Sequence, residues 1–396
     1  MTIRDLTRRD FLKTTGAITA AAALGGLPTD LFASGPRMAT FPEKRELILM
    51  TSRPPQLETP MHIFKELITP NDALFVRWHL ANIPTYVDMK EWRLKIGGNV
   101  EKELQLSMDD LKGYEKISYT AVIQCAGNSR SFFEPRVAGG QWGHGAMGNV
   151  TWTGVRLKDI MQKAGIKAGS VDLAFNGLDS APLPKVPDFV KSLPVDKALE
   201  DDIMVAFEMN GKPLTMLNGF PARLIVPGWY ATYWVKSLSD ITVTTKVFEE
   251  FWMKPAYRIP DNDCGCVPPG ATPKKTVPIN KMTTRSFVIN PSDGTTLSKG
   301  KLIELMGIAF SGGHSIRDVI VSVDGGKTWG EAKLGQDKGK YSWIQWFYPW
   351  KPEMTGSYTI MCRATNAIGD SQAIEKLWNP AGYLLNSVEK ITITIS

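Results

Sequence analysis

The hydrophobic positions of this chain come in short runs. Tyr119 to Ile123 is apolar and β-branched, which predicts a buried strand. Trp92-Arg-Leu-Lys-Ile-Gly-Gly98 alternates, predicting a strand and a turn. Leu173-Ala-Phe-Asn-Gly177-Leu-Asp179 predicts a strand ending at a turn that carries an acid, and Ile203 to Met209 predicts another buried strand, closed by Asn210-Gly211. Helical spacing is rarer. It predicts an amphipathic helix over Val155 to Ala164 and a short serine-capped helix at Ser107-Met-Asp-Asp-Leu-Lys112. Residues 36 to 70, Pro-rich and polar, predict an extended lead-in, and Lys254 to Pro260 a loop.

Around residues 262 to 283 the composition shifts to Pro, Gly, Lys and Thr, which places a boundary there. Beyond it, apolar runs recur at Ser286–Ile289, Leu302–Phe310, Asp318–Val323, Ser342–Phe347, Gly356–Ala364 and Ile391–Ile395, with Asp324-Gly325-Gly326 as a hairpin turn. Short strands at this spacing predict an immunoglobulin-like β-sandwich. The expected fold class is α+β: a mixed α/β domain over residues 36 to 275, then the sandwich over 276 to 396.

At 396 residues and 43% hydrophobic, the chain can bury two cores. Its formal charge of +6 is scattered, without the basic runs of a nucleic-acid arm, so no nucleic-acid partner is expected. No window offers an uninterrupted apolar span, so no retained membrane span is expected. The four cysteines stand at 125, 264, 266 and 362. None sits in a C-x-x-C-H run, so no covalent haem is expected on this chain. Cys264 and Cys266 can pair in an oxidising compartment, at a spacing that strains the bridge.

Candidate chemistry gathers in Gln124-Cys125-Ala-Gly-Asn-Ser-Arg130. Gly127 and Asn128 permit a tight turn, and Arg130 sets a fixed positive charge five residues after the sulfur. A thiol delivered by a strand into such a loop suits a nucleophile or a metal ligand, and it equally suits an inert core residue. Arg77 and His79 stand two apart, so an extended chain points both to one side and Trp78 to the other. That describes a pocket wall or a solvated surface strand. Gly139-Gly-Gln-Trp142-Gly-His144-Gly145 lacks the ending of a P-loop. Trp229, Tyr230, Tyr233 and Trp234 form an aromatic cluster that serves packing or walls a ligand.

At the N-terminus, Thr7-Arg8-Arg9-Asp10-Phe11-Leu12-Lys13 and the small apolar run Ala17 to Leu27 resemble a twin-arginine export signal. Residues 1 to 35 are therefore expected to be an address to the periplasm, with Leu31-Phe-Ala33 before Ser34-Gly35 as candidate cleavage site. That route carries folded proteins, often with a cofactor already in place.

Four pieces, in order, resemble the sulfite oxidase family of molybdenum enzymes: Phe75-Val-Arg77-Trp-His79, Gln124-Cys125-Ala-Gly-Asn-Ser-Arg130, Asn218-Gly-Phe-Pro-Ala-Arg223 and Trp234-Val-Lys236. Ser322-Val-Asp-Gly-Gly-Lys-Thr-Trp329 resembles the family's C-terminal dimerisation domain. The resemblance covers roughly residues 65 to 396 and implies a molybdenum–molybdopterin cofactor. It makes Cys125 the thiolate on molybdenum, a soft ligand suited to that metal. Arg77 and Arg130 match the arginines that hold the substrate anion, where guanidinium offers fork-like donors and a fixed charge. Tyr257 matches a tyrosine that donates to a substrate oxygen, and Trp142 a tryptophan lining the same pocket. Arg77, His79, Cys125, Asp179, Asn218, Arg223, Trp234, Val235 and Lys236 match positions that hold the cofactor and its phosphate.

The resemblance implies a sulfite dehydrogenase that passes electrons to a separate c-type cytochrome, since no haem domain is expected here, and a homodimer paired through the sandwich. Two departures stand out. Trp378-Asn379 is followed by Pro380, where animal members place an arginine after Trp-Asn, and Asn218 replaces their histidine. Alternatives on the same cofactor are a sulfane-sulfur dehydrogenase of a thiosulfate-oxidising complex and a sulfoxide reductase. The reductase branch typically lacks the C-terminal sandwich. A non-catalytic exported binding module is the alternative of another class.

Overall fold

The computed structural model describes residues 35–396, and strand dominates it. The export segment and its cleavage position lie outside the described residues. The thiol strand is Lys116–Gln124, antiparallel to Met147–Arg156 along its whole length, from Lys116 opposite Val155 to Gln124 opposite Met147. Met204–Met209 pairs on the far side of Met147–Arg156 and carries Arg223–Ile225 in turn. Asn210 and Gly211, both at positive φ, turn this chain into Lys212–Pro213.

A second sheet runs Lys191–Pro194, Asp172–Gly177, Leu238–Thr244, Leu94–Gly98, Leu104–Leu106. The step from Leu94–Gly98 to Leu238–Thr244 is parallel, and this sheet's other pairings are antiparallel. Leu94, Ile96, Phe175 and Ile241 share one core with Val150 and Trp152 of the thiol sheet. Alternation along each strand puts these side chains on the inner face.

Helices are few and short. Ser107 caps Met108–Lys112 in a full capping box with Asp110. Leu157–Ala164 lays Leu157, Ile160, Met161 and Ala164 on the core, the spacing of one helical face. The expected helix from Val155 begins two residues too early. Val155 and Arg156 are claimed by pairing with Val205 and Met204, which local periodicity does not register. The α content is therefore smaller than an α+β reading suggests.

Two further expectations are corrected. The lead-in is not merely extended: Leu47–Ser52 and Pro55–Glu58 pair as a hairpin, and Pro55–Glu58 carries Val76–Arg77. Leu47, Leu57, Val76 and Trp78 bury together beneath it. The loop over Lys254 to Pro260 is half strand, because Arg258–Pro260 pairs with Thr276–Pro278. In both places proline sits within a strand, and Arg258–Pro260 also has its partner about 16 residues further on.

Past residue 284 two sheets face each other. One orders Arg285–Asn290, Ile303–Phe310, Ile344–Trp350, Lys333–Leu334; the other orders Thr296–Leu297, Glu389–Ile395, Gly356–Asn366, Ile316–Ser322, Gly330–Glu331. Leu305, Val319, Trp346, Ile360 and Ile393 fill the space between them. Asp324 shapes the glycine turn by accepting from the Lys327 and Thr328 amides and the Thr328 hydroxyl. This region also shares a core with the preceding one. Phe64, Val122, Tyr230 and Tyr257 pack with Phe287, Phe310 and Trp343, and Phe64 meets Trp343 edge-on at 5.2 Å. Residues 39–396 form a single compact unit by contact.

Candidate active site

The thiol strand buries Ala121, Val122 and Ile123 completely and releases Cys125, half-buried, at its end. The loop beyond is shaped by its own polar groups. The Cys125 amide donates to the Ala146 carbonyl at 2.9 Å, and the Ala146 amide donates to Asn128 Oδ1 at 2.9 Å. The Asn128 amide closes the turn on the Cys125 carbonyl at 2.9 Å. Ser129 then takes a left-handed conformation, φ 70°. A Cβ on Gly127 would stand 2.7 Å from the Arg130 guanidinium, so glycine is needed there.

One cavity collects Arg77, His79, Cys125, Asn218, Arg223, Lys236 and Tyr257, between the rings of Phe75 and Phe189. The Arg77–Trp78–His79 alternation holds: Arg77 and His79 face this cavity, while Trp78 is buried on the other side. Arg130, Trp142, Asp179, Trp234 and Val235 do not line it. Trp142 is buried one layer back, edge-on to Phe75 at 6.5 Å. Trp234 is core, edge-on to Trp152 at 5.7 Å, and its carbonyl accepts from Arg223 Nε at 3.2 Å. The Val235 carbonyl accepts from the Leu224 amide, so both residues fix the Arg223 strand rather than face the cavity. Arg130 is buried, its Nε donating to the carbonyls of Ala381 and Gly382 at 3.3 and 3.2 Å and its Nη1 to that of Gly140 at 3.2 Å.

Burial sets the electrostatics. His79 is driven well below the usual imidazole range by burial, helped by the positive charges of Arg77, Lys236 and Lys191. It is therefore neutral, and its Nε2 is hydrogen-bonded to the Tyr257 hydroxyl. Burial raises Tyr257 above the usual phenol range. Lys236 falls to about 7 through burial, with the Arg223 charge pushing the same way and Asp179 opposing. Arg223 falls to about 9 by burial. Asp179 rises to about 6 because it is buried, with Lys236 pulling it down.

Several side chains at the site carry no legible signal in the sequence. Lys44, in the lead-in, is buried and donates to Asn218 Oδ1 and to the carbonyls of Asn71 and Leu74, at 2.7 and 2.9 Å for the latter two. Lys191 donates to the Trp252 carbonyl at 2.7 Å and lies 5.0 Å from the Tyr257 ring centre. Phe189 stacks on His79 at 3.7 Å. Glu58 accepts from the amides of Gly143 and Gly145, both at 2.9 Å, and so holds the loop carrying Trp142. Only burial of a cation or acid would reveal these, and a sequence does not print burial. Away from the site, Cys264 and Cys266 form a disulfide, and Cys362 is buried in the C-terminal core.

Comparison with known proteins bears on this arrangement. Residues 80–252 match the oxidoreductase molybdopterin binding domain, and residues 276–396 the Mo-co oxidoreductase dimerisation domain. Residues 5–25 match the twin-arginine translocation signal sequence, which addresses the protein to the periplasm. No helix among the described residues is long and apolar enough to cross a membrane. Mitochondrial sulfite oxidase of Rattus norvegicus is 32% identical over 367 residues, covering 88% of this chain and 66% of that one. Sulfite oxidase of Gallus gallus is 31% identical over 372 residues, covering 90% and 78%. The chain thus spans about two thirds of the length of the mammalian relatives it matches. Among solved structures, the sulfane dehydrogenase SoxCD from Paracoccus pantotrophus superposes with a TM-score of 0.75 at 26% identity, covering 92% of this chain and 90% of that one. A shared fold over nearly the whole chain and more than 30% identity to curated sulfite oxidases lead to one conclusion: the chain belongs to the sulfite oxidase family of molybdopterin enzymes.

Proposed function

We propose that this chain is a periplasmic sulfite dehydrogenase: sulfite and water give sulfate, two protons and two electrons, and the electrons leave singly to a separate c-type cytochrome. The observation that carries the reading is one thiol, Cys125, in a pocket with three cations, Arg77, Arg223 and Lys236, none of them in a direct ion pair among the described residues. A buried charge of this kind is costly unless an anion meets it.

These residues fit molybdopterin. Arg77 Nη1 and His79 Nδ1 are buried without a hydrogen-bond partner, as a site awaiting a polar ligand requires. When bound, the group would supply redox chemistry at its metal, which Cys125 would hold through its thiolate. Arg223 and Lys236 would hold the phosphate as charge-assisted donors, and His79 and Asn218 would orient the pterin. Asp179 tempers the charge of Lys236, while Trp234 and Val235 act through the backbone that fixes Arg223. Arg77 and Arg130 attract and orient the substrate anion, Trp142 backs that wall through Phe75, and Tyr257 keeps a proton at its hydroxyl oxygen. We assign residues 36 to 275 to catalysis, and we read residues 276 to 396 as an immunoglobulin-like sandwich that pairs two copies.

The test is sulfite-dependent reduction of cytochrome c or ferricyanide by purified protein of known molybdenum content. Turnover by fully loaded protein supports the reading. Full loading with no sulfite turnover refutes it. The similarity to a sulfane dehydrogenase favours one second reading, oxidation of sulfane sulfur on a carrier, and a substrate panel run on the same sample separates the two.

A further inference from the structure

We propose that Tyr383, near the C-terminus, is a positioning residue that fixes Arg130 and Tyr257 against its ring and thereby sets the strength of anion binding. The inference rests on the reading of Arg130 as a substrate-binding group. The Arg130 guanidinium carbon lies 5.0 Å from the centre of the Tyr383 ring. The Tyr257 ring stacks on the same ring at 5.4 Å, tilted by 16°. One aromatic side chain therefore touches both Arg130, which stands behind the cavity lining, and Tyr257, which lines it.

The segment that carries Tyr383 is built to hold it there. Asn379 Nδ2 donates to the Tyr383 carbonyl at 2.8 Å, and the Tyr383 amide donates back to Asn379 Oδ1 at 3.1 Å. The next amide, Leu384, donates to the carbonyl of Ala126 at 3.0 Å, one residue past the thiol. Ala381 and Gly382 turn their carbonyls on Arg130 Nε. Gly382, at φ 60°, lies so close that a Cβ would stand 3.0 Å from the Arg130 side chain.

The consequence for chemistry follows from counting donors. Arg130 gives Nε–H and one Nη1–H to backbone carbonyls, while Nη2 makes no hydrogen bond among the described residues. Two of the three guanidinium nitrogens are thus tethered, and Nη2 alone keeps its donors free of backbone. Animal members place a further arginine after Trp-Asn, and this chain offers Pro380, Ala381 and an aromatic face instead. Here the aromatic face gives Arg130 a rigid mount. A mount of this kind lowers the entropy lost on binding rather than adding charge. Ordering one rotamer-rich side chain in advance saves about 0.5–1.5 kcal/mol, which corresponds to roughly two- to tenfold in affinity.

The experiment uses the molybdenum-loaded full chain and compares Tyr383→Phe with Tyr383→Leu. Each is measured for KM and kcat with sulfite, and for sulfate affinity by titration calorimetry. Tyr383→Leu is expected to raise KM and weaken sulfate by up to about tenfold, with a smaller fall in kcat through the loosened Tyr257 ring. Tyr383→Phe keeps the ring and is expected to match the parent in both. An unchanged KM and sulfate affinity in Tyr383→Leu, or an equal loss in Tyr383→Phe, overturns the proposal. Should Tyr383→Leu lose its cofactor, Tyr383→Met serves as the ring-free variant with the same expectation. A parent that turns over a different sulfur anion refutes the sulfite reading alone, and KM for that anion then replaces the sulfite value. A parent that binds no sulfate and turns over no sulfur anion overturns both.

Discussion

Tyr257 and His79 meet through a hydrogen bond between the phenol oxygen and Nε2, in a setting where burial holds the imidazole neutral and the phenol protonated. A neutral imidazole offers one donor and one acceptor. When Nε2 accepts, the phenol proton is spent on histidine. When Nε2–H donates, the phenol proton is free to face the pocket. Tyr257→Phe removes both options and leaves Nε2 unpaired. It is expected to lower kcat by about a hundredfold, the scale of a lost proton donor, with the molybdenum content unchanged. Steady-state kinetics on metal-quantified protein checks this.

Cys125 is the only thiol at the pocket, and the loop around it is held by backbone and Asn128 rather than by sulfur. Cys125→Ser is therefore expected to fold, retain the pterin and lose turnover. Pterin fluorescence after release, beside the activity assay, tests the pair of statements. Full sulfite oxidation by this variant sinks the assignment of Cys125 as metal ligand.

Arg130 packs its guanidinium against Gly127, behind the cavity lining, and is tethered to three carbonyls. Arg130→Gln removes a charge-assisted donor worth about 1.5–3 kcal/mol, which is roughly ten- to a hundredfold in affinity. The loss should appear mainly in KM. A variant with unchanged KM and reduced kcat would instead place Arg130 in the chemical step.

Lys44, Lys191 and Lys236 are each depressed to about 7 by burial. In the unfolded chain each titrates at its ordinary value of 10.5. Between the two values the unfolded state holds more protons, so the stability of the cofactor-free protein rises with pH through this window. A bound phosphate favours the charged form of Lys236 and shrinks that rise. Denaturant melts of apo and loaded protein at pH 7 and pH 9 test this, the apo form being expected to gain more. An equal gain in both forms would separate Lys236 from the phosphate.

How far the sequence carries depends on whether a feature is local. The thiol strand, the Asn210-Gly211 turn and the Ser107 cap are written in adjacent residues, and the structure has all three. The strand pairing of Leu47–Ser52 with Pro55–Glu58 hides under proline, and Arg258–Pro260 becomes a strand only because Thr276–Pro278 returns to it. At the site, Arg77, His79 and Cys125 are legible because spacing and family motif place them together. Lys44 and Lys191 look like ordinary surface lysines in the sequence. Only the three-dimensional structure buries them beside Asn218 and Tyr257. Trp142 and Trp234 carry the motif yet stand behind the wall, since a motif fixes residue identity and not the layer in which a side chain sits.

The hydrogen bond from Arg130 to the carbonyl of Ala381 joins residues 251 positions apart. A chain is made from its N-terminus, and early segments begin to fold while later ones are still being synthesised. Here the thiol loop emerges long before the residues that brace it. Until residues 381 to 383 leave the ribosome, Arg130 has neither these carbonyls nor the Tyr383 ring beside it. The bracing of the thiol loop therefore waits for a segment made long after the loop itself, and the site cannot take its final form before that segment docks.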